Sequence, residues 1–510
     1  MNLIKKISDL SPASWMLGAL LAAAAAPARE ADSAASAEPA DEQEIAPITL
    51  ENSRHVRDPV FTEEIPEDLE APPPPPETDH ERLLRLFTLY KDAIAEESYA
   101  EADTLGKRIV ELTLAEHGRN SEEAARALTN LGIAQHGIGD YEAAELNFNA
   151  AIEILEDVTN RLDVSLINPL RGLGASQLAD GRPDEAAESF QRAVHISHVN
   201  NGPHNMMQVE LLESLAETYL LRGDVDTTAD MYERIFNLQA RGVDLDSEEI
   251  LPALRNEARW QHRLAMYDKE RYTWRRIIDI LEDHRGRDDL SLIPPLTGLG
   301  QSYLYISPPD VAYAQPTSNS TGEIYLKRAQ RIAEDNPDAD WRMLADTMLN
   351  LGDYYILTDK PNRAERSYRE AWEMLDGDEE RLQYRRENLQ SLKVLQGIRP
   401  PKFYGIEADI VPPTRPDGFE TGTVVYEYSI SASGRTTHIE FIDMQPAGLE
   451  DMQDSVNREL RHLVQRPRME DGEMVATDKL TFTHNFYYRT SDLPQPEEEA
   501  AESIADAASR

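Results

Sequence analysis

The sequence predicts a mostly α-helical protein, an α-solenoid of about seven helical hairpins followed by a small α+β domain of order β-β-α-β. Three observations lead to this prediction. A pattern of small and aromatic residues recurs every 42 residues through positions 81–395. The pattern ends near a pair of prolines, and alternating apolar residues then indicate strands. The chain has no cysteine, so packing rather than disulfide bonds must hold it together.

The first 28 residues have the pattern of an export signal, and we assign residues 1–28 to a signal peptide. Lys5 and Lys6 precede a short apolar run, and Ala26-Pro27-Ala28 fits the small-x-small pattern of a cleavage site. The run has about 12 apolar residues, whereas a membrane-spanning helix needs about 20. We therefore expect cleavage near Ala28, with an uncleaved membrane anchor as the alternative.

Residues 29–80 and 491–510 are predicted to be disordered acidic segments, a linker and a tail. The linker is rich in Ala, Pro, Asp and Glu, and such a composition buries too little apolar surface to offset the entropy lost on ordering. The whole chain has a formal net charge of −43. This charge argues against a nucleic-acid partner, because binding to a phosphate backbone depends on Lys and Arg.

The repeat is clearest in two neighbouring units. Both contain a Leu-Gly pair, a Gly turn, a small residue, an aromatic residue and a further Ala, at Leu131-Gly132, Gly139, Ala144, Phe148 and Ala151 and again at Leu173-Gly174, Gly181, Ala186, Phe190 and Ala193. An insertion of ten residues, within 307–322, interrupts the spacing once. In addition, 161–176 and 287–302 are identical at 11 of 16 positions. Either a block of three hairpins was duplicated, or the same groove is used twice.

These spacings resemble the tetratricopeptide repeat, in the 42-residue form found in kinesin-light-chain-like arrays. The small residues let the two helices of a hairpin approach closely, and the aromatic residues fill the space between hairpins. The resemblance implies a superhelix whose concave groove is lined by the first helix of each hairpin and binds segments of other proteins.

The same resemblance identifies eight side chains that are expected to face the groove. They are Asn130, Arg171, Glu213, Glu217, Arg255, Asn256, Arg259 and Gln301. An acidic stripe in the fourth unit thus adjoins a basic one in the fifth, where His262 and Arg263 add to the positive charge. Arginines there are suited to bind a partner's carboxylates. The alternative is that these charged residues only form a solvent-exposed helix face and bind no partner.

Residues 399–490 form the predicted α+β domain. Val424 to Ile430 alternate as in a strand, a glycine turn and a second strand follow, and a helix precedes a third strand that begins near Leu480. The order of Gly422, Gly434, Pro467, Gly472 and the aromatic residues from Phe482 to Tyr488 resembles the C-terminal domain of TonB. In that family, the domain receives an extended peptide of an outer-membrane receptor as an added strand. The resemblance therefore implies a strand-addition edge at Thr481, Thr483 and Asn485.

No motif for catalysis or phosphate binding occurs, and we predict no enzyme activity and no cofactor. His195, His198 and His204 form a weak metal candidate without a carboxylate at fitting spacing, so no metal site is predicted either.

The predicted function is an exported adaptor in the periplasm of a Gram-negative cell envelope. It would bind proteins or peptides in its groove and envelope partners, including outer-membrane receptors, through the TonB-like domain. The alternative is a TonB-type energy transducer, anchored in the inner membrane by an uncleaved N-terminus. A third reading, an enzyme subunit or a carbohydrate-handling protein, has no specific residue in its favour.

Overall fold

The structure, a computed structural model, describes residues 78–305, 321–405 and 418–493. The predicted signal peptide, nearly all of the acidic linker, most of the insertion and most of the acidic tail lie outside the described residues. The boundaries assigned to these segments therefore stay predictions.

Seven consecutive helical hairpins form the solenoid, as predicted, and one further helix follows them. The hairpins pair α1 with α2, α3 with α4 and so on to α13 with α14, and α15 stands alone. The helices are α1 Asp79–Ala95, α2 Tyr99–His117, α3 Glu122–Ile138, α4 Tyr141–Val158, α5 Ile167–Ala179, α6 Pro183–Asn201, α7 Gln208–Leu221, α8 Val225–Gln239, α9 Leu251–Arg263, α10 Tyr267–Arg285, α11 Ile293–Ser302, α12 Thr321–Asp335, α13 Trp341–Leu357, α14 Pro361–Met374 and α15 Glu379–Asn388.

The repeated residues act as the pattern indicates. Gly132 lies against Phe148, and a Cβ there would come within 2.9 Å of the Phe148 ring. At the turn of the same hairpin Gly139 has φ +85°, and the Asp140 carboxylate accepts a hydrogen bond from the Ala143 amide. Small residues therefore set the distance between the paired helices, and the Gly-Asp turn caps the second one.

The two similar sequence blocks also share their local interactions. In the first block, Glu156 pairs with Arg161 and Arg192. In the second block, the corresponding Glu282 pairs with Arg287 and Arg328. The linker that opens each matching stretch contains a short 3₁₀ turn, capped in the same way by Asp163 or Asp289. The two blocks thus form equivalent structures, 126 residues apart before the insertion and 136 residues apart after it.

The C-terminal domain contains the predicted β-β-α-β arrangement. Its strands β2, β3 and β7 form an antiparallel sheet of order β3-β2-β7, and α16 buries Met452, Val456 and Leu460 against it. Four short strands were not predicted; β1 pairs with β4, and β5 pairs with β6. The elements are β1 Lys393–Gln396, β2 Glu420–Ile430, β3 Thr436–Gln445, α16 Glu450–Leu460, β4 Val464–Arg466, β5 Arg468–Glu470, β6 Glu473–Val475 and β7 Thr477–Tyr488.

The solenoid and the C-terminal domain share one core at their junction. Val464 and Met469 pack with the buried residues of α13 and α14, and the Met469 amide donates to the Leu389 carbonyl at 2.7 Å. Three of the four residues of β1 lie within the range 81–395 predicted for the solenoid, although its pairing partner β4 belongs to the C-terminal domain. The helical part ends at Asn388, and the two units meet as a packed interface rather than across a free linker.

Across the three described ranges, the structure contains no helix with the length and apolar character needed to cross a membrane.

Candidate functional site: the groove and the sheet edge

One position on the first helix of each hairpin defines a row along the solenoid, which we call the groove row. This position directly follows the glycine of the Leu-Gly pair, or the alanine that replaces this glycine in the fourth and fifth hairpins. Neighbouring first helices bond to each other close to this row, as from Gln301 to Asn350 at 3.2 Å. The row therefore follows one side of the stacked first helices, and its member in the second hairpin, Ile133, is buried. Its members in hairpins two to seven are Ile133, Ala175, Glu217, Arg259, Gln301 and Asp353.

Asn130 does not face an open groove, and this part of the prediction is wrong. Asn130 is only 8% exposed, and its backbone carbonyl accepts a hydrogen bond from the Tyr90 hydroxyl at 2.7 Å. Tyr90 occupies the position of the repeat glycine in the first hairpin. Its large ring needs space and a polar partner on the next hairpin, and the Asn130 segment provides both.

The acidic residues of the fourth hairpin already have partners on both sides. Glu210 binds Arg171 of the third hairpin at 2.7 Å. On the other side, Glu213 accepts from Asn256 at 2.9 Å and Glu217 pairs with Arg263 at 2.6 Å. Five of the predicted groove residues, Arg171, Glu213, Glu217, Asn256 and Gln301, thus link neighbouring hairpins.

These links are partly buried, and burial shifts the titration of the groups that form them. Burial raises the pKa of Glu213, although the Asn256 hydrogen bond and the charge of Arg259 oppose the shift. Burial likewise lowers the pKa of Arg171 against the opposing effect of Glu210. Groups held in this way fix the spacing between hairpins and are poorly available to a partner.

The basic cluster of the fifth hairpin divides into engaged and available groups. Arg263 pairs with Glu217 and lies 4.0 Å from the centre of the Trp260 ring, and His262 bonds to Glu270 at 3.1 Å. Arg255 and Arg259 are exposed, and neither forms an ion pair with any described residue. Arg259 donates one hydrogen bond, to the side-chain oxygen of Asn256. Most N–H groups of these two guanidinium groups therefore remain available to hydrogen-bond acceptors of a partner.

The last member of the groove row, Asp353, binds the C-terminal domain. Its carboxylate accepts from Nε and Nη2 of Arg466 at 2.7 and 2.6 Å and from the Tyr368 hydroxyl at 2.8 Å. Arg466 ends β4 and is only 2% exposed. Burial alone would lower the pKa of Arg466, but the adjacent carboxylate outweighs burial and raises it. The groove thus already holds one guanidinium group, supplied by a strand of the same chain.

Sequence reasoning did not identify Asp353 or Arg466. Asp353 could have been identified as a groove residue, because it directly follows Gly352 and so occupies the same position of the repeat as Glu217 and Arg259. For Arg466 the sequence contains no comparable signal, because the contact joins residues 113 positions apart.

The predicted strand-addition residues lie on β7, which is an edge strand of the sheet. The Tyr487 amide donates to the Lys402 carbonyl at 2.7 Å, so the main chain of Tyr487 points away from β2. Main-chain direction alternates along a strand, so Thr481, Thr483 and Asn485 also direct their amides and carbonyls outward. All three are exposed. Among the described residues, no backbone group outside the sheet bonds to them.

Part of this edge is already covered, which the sequence did not indicate. Residues 402–404 run parallel to the end of β7; the Tyr404 amide donates to the Tyr487 carbonyl at 2.8 Å. Phe403 is buried between the Phe419 and Tyr487 rings. At the other end, Lys479 has φ +57° and the pairing with β2 changes register. The open edge therefore extends from Leu480 to Asn485.

Within the described ranges, no group of three His, Cys, Asp or Glu side chains is arranged to hold a metal ion. His195, His198 and His204 are each exposed.

Comparison with known proteins identifies a tetratricopeptide repeat at residues 92–157. No curated protein matches the chain. Among solved structures, kinesin light chain TPR-like repeats from Podosopora anserina are 16% identical, with a TM-score of 0.36, over 40% of this chain and 97% of that one. BtubC (BKLC) from P. vanneervenii is 16% identical, with a TM-score of 0.28, over 54% and 88%. Aspartyl phosphate phosphatase F from Bacillus subtilis is 13% identical, with a TM-score of 0.36, over 59% and 71%.

Proposed function

We propose that this chain is a protein-interaction scaffold whose groove binds an acidic, extended segment of a partner protein against Arg255 and Arg259. One observation carries the proposal. These two guanidinium groups are exposed without an ion-pair partner, whereas the carboxylates of the neighbouring hairpin are bonded to Asn256 and Arg263. In a chain of net charge −43, exposed arginines on a groove that form no ion pair favour carboxylates of a second protein.

The contact between Asp353 and Arg466 supports this binding mode. In this contact, the carboxylate of a groove-row residue forms a bidentate ion pair with an arginine that lies on a strand. Arg259 occupies the same row two hairpins earlier and carries the opposite charge. A partner strand lying along the groove would therefore present aspartate or glutamate to Arg259, with the charges reversed.

Charge reversal at both arginines is expected to weaken binding of an acidic segment strongly. The probe is a labelled extended peptide with two glutamates, titrated by fluorescence anisotropy. Arg255→Glu with Arg259→Glu should weaken its binding by more than about tenfold, because two charge-assisted contacts become repulsive. The matched control is Arg161→Glu with Arg287→Glu, which changes the net charge equally on exposed linker arginines. Equal loss in the control, or none in the groove variant, would contradict the proposal.

We further propose that the scaffold works in the cell envelope, because residues 1–28 have the pattern of a signal peptide. Mass spectrometry of the protein purified from its native cells is expected to find a mature start near Arg29. An intact Met1 in a membrane fraction would instead favour the energy transducer.

The C-terminal domain is a second candidate site, for strand addition on β7. The observation that favours it is the open edge from Leu480 to Asn485, with three outward pairs of main-chain groups. Such an edge binds an extended peptide through its backbone with little demand on side chains. Combined with the resemblance to TonB, this edge supports docking of envelope partners, including outer-membrane receptors.

A further inference from the structure

Three basic side chains pair with a single carboxylate where the sixth hairpin meets the seventh, and we call this group the Glu323 cluster. Glu323 lies in the first turn of α12, and its side chain is only 12% exposed. Its carboxylate lies 2.8, 3.0 and 3.0 Å from nitrogen atoms of Lys327, Lys360 and Arg363. The Tyr355 hydroxyl donates to the same carboxylate at 3.0 Å.

The Glu323 cluster has an excess of positive charge. Among the described residues, Glu323 is the only carboxylate that forms an ion pair with any of the three cations. Asp359, which directly precedes Lys360, pairs instead with Arg435 at 3.8 Å. Three cations against one carboxylate leave an excess of two positive charges, in a chain whose net charge is −43.

The equivalent contact between the second and third hairpins has the opposite balance. Glu323 and Lys360 correspond to Glu145 and Arg182, each 178 positions earlier, and these two residues form the same ion pair. Two further carboxylates, rather than further cations, pair with Arg182. One ion pair is therefore sufficient to link two hairpins at this position, and the link does not require the other two cations of the Glu323 cluster.

These two additional cations, Lys327 and Arg363, are exposed and held close together. Their side chains are 55% and 58% exposed. Glu323 accepts only some of their N–H groups, because an ammonium and a guanidinium group each have several. Burial would raise the pKa of Glu323, but hydrogen bonds from Lys327, Lys360 and Tyr355 outweigh burial and lower it to about 2. Glu323 is therefore ionised at neutral pH and keeps the cations beside one another.

We propose that the Glu323 cluster is a binding site for a phosphate dianion, either inorganic phosphate or a phosphate monoester. A phosphate monoester has a charge of about −1.5 to −2 at neutral pH, which matches the excess charge of the cluster better than a single carboxylate does. Lys327 and Arg363 can both donate charge-assisted hydrogen bonds to its oxygens. The groove arginines take no part in this site, so the inference is independent of the groove proposal.

Isothermal titration calorimetry of the full chain with inorganic phosphate, glycerol 3-phosphate and acetate tests the proposal. An ionic strength of about 0.15 M screens carboxylates more than about 8 Å away, so the local charge decides binding. We expect the phosphate ligands to bind at least about tenfold more tightly than acetate, because their charge is about twice as large. Tighter binding of glycerol 3-phosphate than of inorganic phosphate would identify a monoester as the ligand, and the reverse order would identify free phosphate.

A pair of matched variants locates the binding. Lys327→Gln with Arg363→Gln removes the excess charge but retains the ion pair that links the two hairpins. It should bind the phosphate ligands at least about tenfold more weakly, with an unchanged circular dichroism spectrum. The control, Arg255→Gln with Arg259→Gln, removes the same charge from the groove and should bind them like the wild type.

Three results would overturn the proposal. The phosphate ligands bind no more tightly than acetate, the cluster variant binds them as tightly as the wild type, or both variants lose binding equally. The last result would mean that the total charge of the chain, rather than this cluster, governs phosphate binding.

Discussion

Replacement of Asp353 by alanine is expected to destabilise the protein by about 3–5 kcal/mol, because it leaves the buried guanidinium group of Arg466 without its counter-charge. Arg466 would keep only the bond from Nη1 to the Asn388 carbonyl, at 2.8 Å. The Tyr368 hydroxyl would lose its acceptor at the same time. Urea denaturation followed by circular dichroism measures the change, and limited proteolysis should show the C-terminal domain released from the solenoid.

A double replacement separates the ion pair from the surface around it. Asp353→Ala combined with Arg466→Met removes both charges and retains most of the apolar volume, so it should recover much of the lost stability. Arg369→Ala is a useful comparison, because its ion pair with Glu473 also joins the two units but is solvent-exposed. We expect it to cost less than about 1 kcal/mol. Equal losses in Arg369→Ala and Asp353→Ala would contradict a special role for the buried pair.

The repeat architecture could be predicted because it depends on local, recurring chemistry. Gly132 and Phe148 meet within one hairpin, and the same contact recurs 42 residues later between Gly174 and Phe190. The glycine and the aromatic residue of each such pair stand at the same spacing in every hairpin that has both, so the sequence alone identifies them. The number of hairpins and the β-β-α-β order followed from periodicity alone, and both are confirmed by the structure.

The candidate site was harder to predict, because availability depends on contacts between units. The sequence placed Glu217 and Arg259 in the same row, but it could not show that Glu217 is paired with Arg263 while Arg259 forms no ion pair. In the sequence, nothing distinguishes the paired Arg263 from Arg259. The difference comes from the superhelix, which brings some neighbouring helices within bonding distance and leaves other side chains in solvent.

The junction between the two units escaped prediction for a similar reason. The short strands β1 and β4 have three or four residues, too few to produce an alternating pattern. They are stable because they lie against the last hairpin and against each other, and residues about 70 positions apart contribute to the pair. A prediction based on local pattern accordingly gave the bounds of the two units but not the core that they share.

The alternation of main-chain direction on β7 leads to a last prediction, which concerns two adjacent residues. Thr483 directs its amide outward, whereas His484 lies opposite Val424 and directs its amide toward β2. Proline removes the amide in either case, but only at His484 does this break a bond within the sheet. Thr483→Pro should therefore cost less than about 1 kcal/mol, and His484→Pro more than about 2 kcal/mol, each relative to alanine at the same position.

The same variant tests the role of the open edge in binding. A photo-crosslinking amino acid at Thr481 should capture a partner from envelope extracts in the wild-type background and in Thr483→Ala. Thr483→Pro should lose most of this capture while remaining folded, because a partner strand would find no donor at the centre of an edge with only three outward pairs. If Thr483→Pro is folded and captures the same partner at full yield, strand addition at β7 is wrong, and the domain must bind through another surface.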